Sequence, residues 1–228
     1  MTEAAPVAKR SRIDWLDVSV DGISILFSVL LAFAVQDWRE ARNQRRETRE
    51  AVAVIDEELA ANATALTHEI EYYATMARTL DSLRAGRIAV RTSGDIPGWR
   101  GITPASLSRS AYEASLSGNV IGRLGLREAT RVGRVYAYQQ LIVDLHDKGL
   151  ERLVVAGVVR RMFAGDQEAL AETQELFKQG ASLGRDLLKS YAEVQTDLRH
   201  CQAVPSPAGC ARDSLIVGRY PSFLPKGA

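Results

Sequence analysis

Proline and glycine are both missing from Ile23 to Ala85, which takes the two strongest helix breakers out of a long stretch of the chain. Neither charge is in excess: 29 Lys+Arg stand against 28 Asp+Glu, so the net basic surface of a nucleic-acid binder is not there. Histidine is scarce, and His68, His146 and His200 lie far apart with no second His or Cys at metal-ligand spacing. In Asp144-Leu-His146-Asp147, the nearest approach to a ligand cluster, the two carboxylates share a helical face that His146 does not. No Gly-x-Gly-x-x-Gly, phosphate-binding loop or Gly-x-Ser-x-Gly elbow occurs. The chain therefore reads as a non-enzyme, with no catalytic residue, cofactor or metal expected.

Cysteine is limited to Cys201 and Cys210, too few for a structural zinc site, which needs four ligands. The two bracket Gln-Ala-Val-Pro-Ser-Pro-Ala-Gly, a turn-forming stretch that can bring the thiols together. A disulfide there would stabilise by about 2–3 kcal/mol and would persist in an oxidising compartment. Two free thiols in a loop is the other reading. Adjacent His200 and Cys201 form a nucleophile pair only if that cysteine is free.

What is present is an uneven distribution of apolar residues. A polar, proline-containing stretch at residues 1–13 carries Lys9, Arg10 and Arg12 and reads as a disordered basic tail. Residues 14–38 read as a transmembrane helix, because no residue from Gly22 to Gln36 is charged. That run is short. Trp15 and Trp38, 23 positions apart and so about 34 Å along a helix, mark the two interfaces of a bilayer. Arg39 and Arg42 would sit at the headgroups beyond Trp38. Asp21, Ser24, Ser28 and Ala32 recur at helical spacing, and small residues with an embedded acid suit a contact face for a second membrane helix. Asp21 resting at headgroup level is the plainer reading. A cleaved signal peptide, leaving a soluble periplasmic protein, and an ordinary buried helix are the rival accounts of the segment.

Residues 39–51 form an Arg/Glu-rich juxtamembrane helix, and residues 52–200 read as an antiparallel helical bundle. Val52, Ile55, Leu59, Ala63, Leu66, Ile70, Tyr73, Ala77 and Leu80 recur at intervals of three and four, the spacing of coiled-coil packing. A single helix from the membrane to about Leu83, ended by Gly86, is the simplest account, with a break near 45–52 as the variant. Thr103-Pro104 predicts the start of a short helix running to Ser117. A third helix fits 125–147, with Val132, Val135, Tyr136 and Ile142 on its face. Gly149 is expected to separate it from Leu150–Ala164, which is apolar nearly all round and is expected at the centre of the bundle. Asp166 caps a last helix over 167–199, whose seam is Leu170, Thr173, Phe177, Gly180, Gly184, Leu187, Tyr191, Val194 and Leu198. Gly180 and Gly184 predict either a close helix approach or a kink. Residues 201–228 form the Cys-bracketed loop and C-terminal tail.

Two blocks carry a resemblance. Leu-Leu-Ala-Phe-Ala-Val-Gln-Asp-Trp-Arg-Glu-Ala-Arg, followed by Arg45-Arg-Glu-Thr-Arg-Glu and Ile55-Asp-Glu-Glu-Leu, resembles an uncharacterised group of bacterial single-pass membrane proteins. In that group a hydrophobic segment ends in Asn/Asp-Trp-Arg-Glu and an Arg/Glu-rich helix follows. Ser110-Ala-Tyr-Glu-Ala-Ser-Leu-Ser-Gly-Asn is similar to its second block, with Tyr112 in the place of a tryptophan. The resemblance implies an all-α, membrane-anchored protein with no assigned activity.

The side of the membrane is read from two opposed signals. Five arginines after the span against three basic residues before it favour a cytoplasmic bundle, whereas the cysteine pair favours the periplasm. The expectation leans to the periplasmic face of a bacterial inner membrane. The function expected is protein–protein interaction or self-assembly there, with lipid, a second copy or another membrane protein as partner. A sensor-like ligand-binding bundle, with its cavity near Trp99, Tyr112 and Tyr136, is the alternative.

Overall fold

A computed structural model describes residues 15–87, 92, 95–101, 104–155 and 157–203, with side chains from residue 24 onward except 152–155 and 201–203. Every regular element among them is helical: α1 (Trp15–Arg84), α2 (Ser110–Ser117), a 3-10 turn (Ile121–Arg123), α3 (Leu126–Val155), α4 (Val158–Phe163) and α5 (Gln167–Ala203). The chain divides into two units, Met1–Glu47 and Thr48–Ala228. α1 is assigned without a break across residues 45–52, as the lack of proline and glycine requires. It ends where expected: Gly86 takes φ +68°, and the N–H of Arg87 reaches back to the Ser82 carbonyl at 2.9 Å, closing the last turn.

In the second unit three long helices pack through their seams. α5 runs antiparallel to α1: Gln195 donates to the Asp56 carbonyl (3.1 Å), Gly184 lies against Ile70, Gly180 against Tyr73, and Arg84 donates to Gln174 (2.8 Å). α3 is different. Its Tyr136, Gln139 and His146 face Glu58, Asn62 and Glu69 in ascending order, so it runs parallel to α1. The connection over residues 85–125, with α2 inside it, returns the chain to the start of the bundle before α3 begins, and this breaks the purely antiparallel arrangement the sequence suggested.

The two seams are what the core is made of. Val52, Ile55, Leu59, Leu66, Tyr73, Ala77 and Leu80 on α1 are buried, as are Leu170, Phe177, Leu187, Tyr191, Val194 and Leu198 on α5. Ala63 and Ile70 are partly buried against them. Gly180 and Gly184 serve close approach: a Cβ at Gly184 would lie 2.7 Å from Ile70 Cγ1, and one at Gly180 2.6 Å from the Tyr73 ring. The helix is unbroken there.

Three expectations need correction. Gly149 does not end a helix; α3 passes through it to Val155, and the break falls at Gly157, which takes φ +64°. Gly149 is a packing residue instead, since a Cβ there would meet Leu176 Cδ1 at 2.9 Å. The 150–164 region is therefore split between the end of α3 and the short α4, and the core centres on α1, α3 and α5 rather than on it. The helix foreseen from Pro104 begins only at Ser110, because side chains of α1 take backbone N–H groups ahead of it and in its first turn. Ala105 N–H donates to Glu69 (2.6 Å), Ser108 N–H to Asn62 (2.8 Å) and Ala111 N–H to Glu58 (2.9 Å). Thr103 lies outside the described residues. Asp166 caps α5 as foreseen, accepting from Glu168 N–H (2.9 Å) and Ala169 N–H (3.2 Å).

Candidate functional site

The first unit carries a long exposed apolar surface among the described residues. From Ser24 to Asn43 every residue is exposed, and Ile25, Leu26, Phe27, Val29, Leu30, Leu31, Phe33, Val35 and Trp38 are among them. These side chains point to all sides of the helix, so no seam faces a partner element. Fully burying such a side chain is worth about 1.5–3 kcal/mol, which makes the segment a strong candidate for contact with something apolar.

The polar groups inside it are arranged to suit such contact. Ser28 Oγ donates to the Ser24 carbonyl at 2.8 Å, so its hydroxyl is satisfied within the helix and needs no water. Ser24, Ser28 and Ala32 are exposed like their neighbours, so nothing sets their face apart as the contact face expected of them; the side chain of Asp21, the fourth member, lies outside the described residues. Trp38 is 61% exposed, and the Arg42 guanidinium lies 5.7 Å from its ring centroid. That pairing is an aromatic and a cation at the boundary between the apolar run and the charged helix that follows. Arg39 is exposed beside it. Trp15 stands at the first residue of α1, and its side chain is not among those described. Among the described residues no helix is long and apolar enough to cross a membrane. The side chains of residues 15–23 are not among those described.

The second unit holds a buried polar knot that the spacing of apolar residues did not flag. Glu58 Oε1 accepts from the Tyr136 hydroxyl (2.6 Å), while Oε2 accepts from Ser108 Oγ (2.7 Å), Ala111 N–H (2.9 Å) and Ser110 Oγ (3.0 Å). Burial alone would push this carboxyl up, but the four hydrogen bonds together outweigh it and hold it below the usual value. Burial and the neighbouring Glu58 carboxylate push the Tyr136 hydroxyl well above the ordinary tyrosine range. Beside it Asn62 bridges both backbone groups of Ser108 at 2.8 Å, and Gln139 accepts from Tyr191 (2.8 Å). Every acceptor on Glu58 is used, so the knot fastens the 104–111 segment to α1 rather than waiting for a substrate. The signal for it was legible: positions 58, 62 and 69 repeat at four and seven, a polar stripe alongside the apolar seam.

Other expected residues disperse. Trp99 packs edge-on to Phe163 (5.8 Å) and Phe177 (5.9 Å), whereas Tyr112 stacks on Tyr136 (4.4 Å) in the other core cluster, so the three do not line one cavity. Cys201 falls in the last turn of α5, and Cys210 lies outside the described residues. Among the described residues no three His, Cys, Asp or Glu side chains are placed to hold a metal ion. No family model, no curated protein and no solved structure matches this chain.

Proposed function

We propose that this is a membrane-anchored helical-bundle protein whose bundle serves protein–protein interaction or self-assembly at a bacterial inner membrane. One observation carries the reading: a helical run that stays uncharged up to Asp37 exposes its large apolar side chains on every face. In water such a surface is unfavourable on all sides, and a bilayer satisfies all sides at once. Trp38, Arg39 and Arg42 supply an interface anchor on one side, and Trp15 supplies it on the other. Asp21, Ser24, Ser28 and Ala32 offer the face on which a second membrane helix would rest. The same reading puts the bundle on the periplasmic side, an oxidising compartment in which Cys201 and Cys210 would pair.

Fractionation of cells expressing the full chain tests the anchor. The protein is expected in the membrane pellet, resistant to high salt and released only by detergent. Recovery of unprocessed chain in the high-speed supernatant overturns the anchor. Crosslinking in native membranes is expected to give a dimer or a defined heteromeric band, and monomer alone would remove the assembly role.

A further inference from the structure

The groove between α1 and α5 gathers charge of one sign. It measures about 740 Å³ and is lined by Arg78 and Asp81 from α1, by Arg87 just past its end, and by Lys178 and Arg185 from α5. Four cations thus flank one carboxylate, in a chain whose net charge is +1. That carboxylate is engaged, since Asp81 accepts from Arg87 at 3.1 Å and from Gln174 Nε2 at 3.4 Å. Arg78, Lys178 and Arg185 are left over. All three are exposed, and among the described residues none pairs with a carboxylate; Arg78 donates to Thr75 Oγ1 at 3.1 Å, within its own helix. Like charges held along one groove repel, and an anion that bridges them relieves the repulsion.

The layout says what kind of anion. Ala74, Ala77 and Ala181 make the floor, and these short side chains leave room between the longer arms. Lys178 and Arg185 stand two turns apart on α5, about 10 Å along its axis. The Gln174 amide donates to the Ala77 carbonyl at 3.2 Å, which sets Arg78 beside the Gln174–Lys178 turn. The three cations therefore form a row along the groove and not a ring around one point. A compact anion meets one or two of them, and an elongated one meets all three. Among the described residues no aromatic ring lines the groove, so nothing there stacks on a nucleobase. A guanidinium fork matches the oxygens of a phosphoryl group, and each unit of a phosphate chain carries its own charge.

We propose that this groove binds a linear oligophosphate, its charged units lying along Arg78, Lys178 and Arg185. A volume of about 740 Å³ is that of a small-molecule site. Asp81 opposes the ligand from one end, and its pairing with Arg87 limits that opposition while holding Arg87 out of the row. The site lies wholly in the second unit, so it stands or falls apart from the membrane anchor.

The test is calorimetric titration of the full chain in nonionic detergent with inorganic tripolyphosphate, without divalent cations. Orthophosphate and citrate serve as compact anions at matched ionic strength. Saturable binding is expected for tripolyphosphate, with both compact anions weaker by about tenfold or more. ATP carries the same chain on a nucleoside and is expected to bind no more tightly, because no ring waits for its base. Arg78→Gln, Lys178→Gln and Arg185→Gln leave the core untouched; each is expected to weaken tripolyphosphate binding about tenfold, and the triple variant to abolish it. Lys189→Gln, an exposed cation on α5 outside the groove, is expected to change nothing. Asp81→Asn removes the groove's one carboxylate, releases Arg87 and is expected to tighten binding. The proposal is overturned if tripolyphosphate does not bind saturably, if orthophosphate or citrate binds equally well, or if ATP binds more tightly. It is also overturned if the triple variant binds like the unaltered chain, if Lys189→Gln weakens binding as much as the groove substitutions, or if Asp81→Asn weakens it.

Discussion

Two apolar stretches of α1 meet opposite fates. From Val52 to Leu80 the apolar side chains recur every three or four residues and most of them are buried. From Ile25 to Val35 they follow one another almost without interval, and all of the large ones are exposed. A periodic stripe can be covered by two neighbouring helices, as α3 and α5 cover this one. A continuous sleeve cannot be, because a helix buried on all sides needs a ring of partners or an apolar solvent. Spacing and apolar density together therefore decide whether an apolar helix builds a core or asks for an apolar solvent.

That contrast can be broken at either end. The largest effect is expected from placing charge in the sleeve: Leu26→Arg with Leu30→Arg costs about 3 kcal/mol per residue in a bilayer and should shift the protein from membrane pellet to supernatant, with the unfolding midpoint of the bundle unchanged. The reverse is expected of Phe177→Ala in the seam, which should destabilise the bundle by about 3–5 kcal/mol in denaturant titrations while membrane association persists. Next comes the polar knot. Glu58→Ala strands the Tyr136 hydroxyl and the Ala111 N–H, at about 1–3 kcal/mol for each group left unpaired. Because the Glu58 carboxyl is held below its ordinary 4.5, its contribution is fully present above that pH and is lost as pH falls through the depressed value. Acid unfolding should therefore be shallower in Glu58→Gln than in the unaltered chain. The smallest change is expected of Asp166→Ala, which removes the cap of α5 and should be read as a modest fall in Tm.

The long helices were legible because their cues are local. Heptad spacing, the missing breakers before Gly86 and the Asp166 cap each act within a few residues. What escaped was set by partners far away in sequence. Gly149 looks like a terminator until Leu176 is known to occupy the place of its side chain. Pro104 looks like a first helical residue until Glu58, Asn62 and Glu69 are seen to hold the backbone that follows. The parallel course of α3 had no local cue, since it depends on how far the 85–125 connection travels. The site was half legible. Its apolar run, Trp38 and Arg42 could be read directly, whereas Glu58, Ser108 and Tyr136 come together only through the fold.

The hold of Glu58 on Ala111 has a consequence for how the molecule assembles. Eight residues are too few to keep α2 helical in isolation, and its first turn is closed by a carboxylate 53 positions upstream. α2 is thus a late arrival: it gains order only after α1 has formed and presents Glu58, Asn62 and Glu69 in a row. During synthesis, its amides should stay open to exchange with solvent until that docking happens, and they should be among the first in the bundle to reopen.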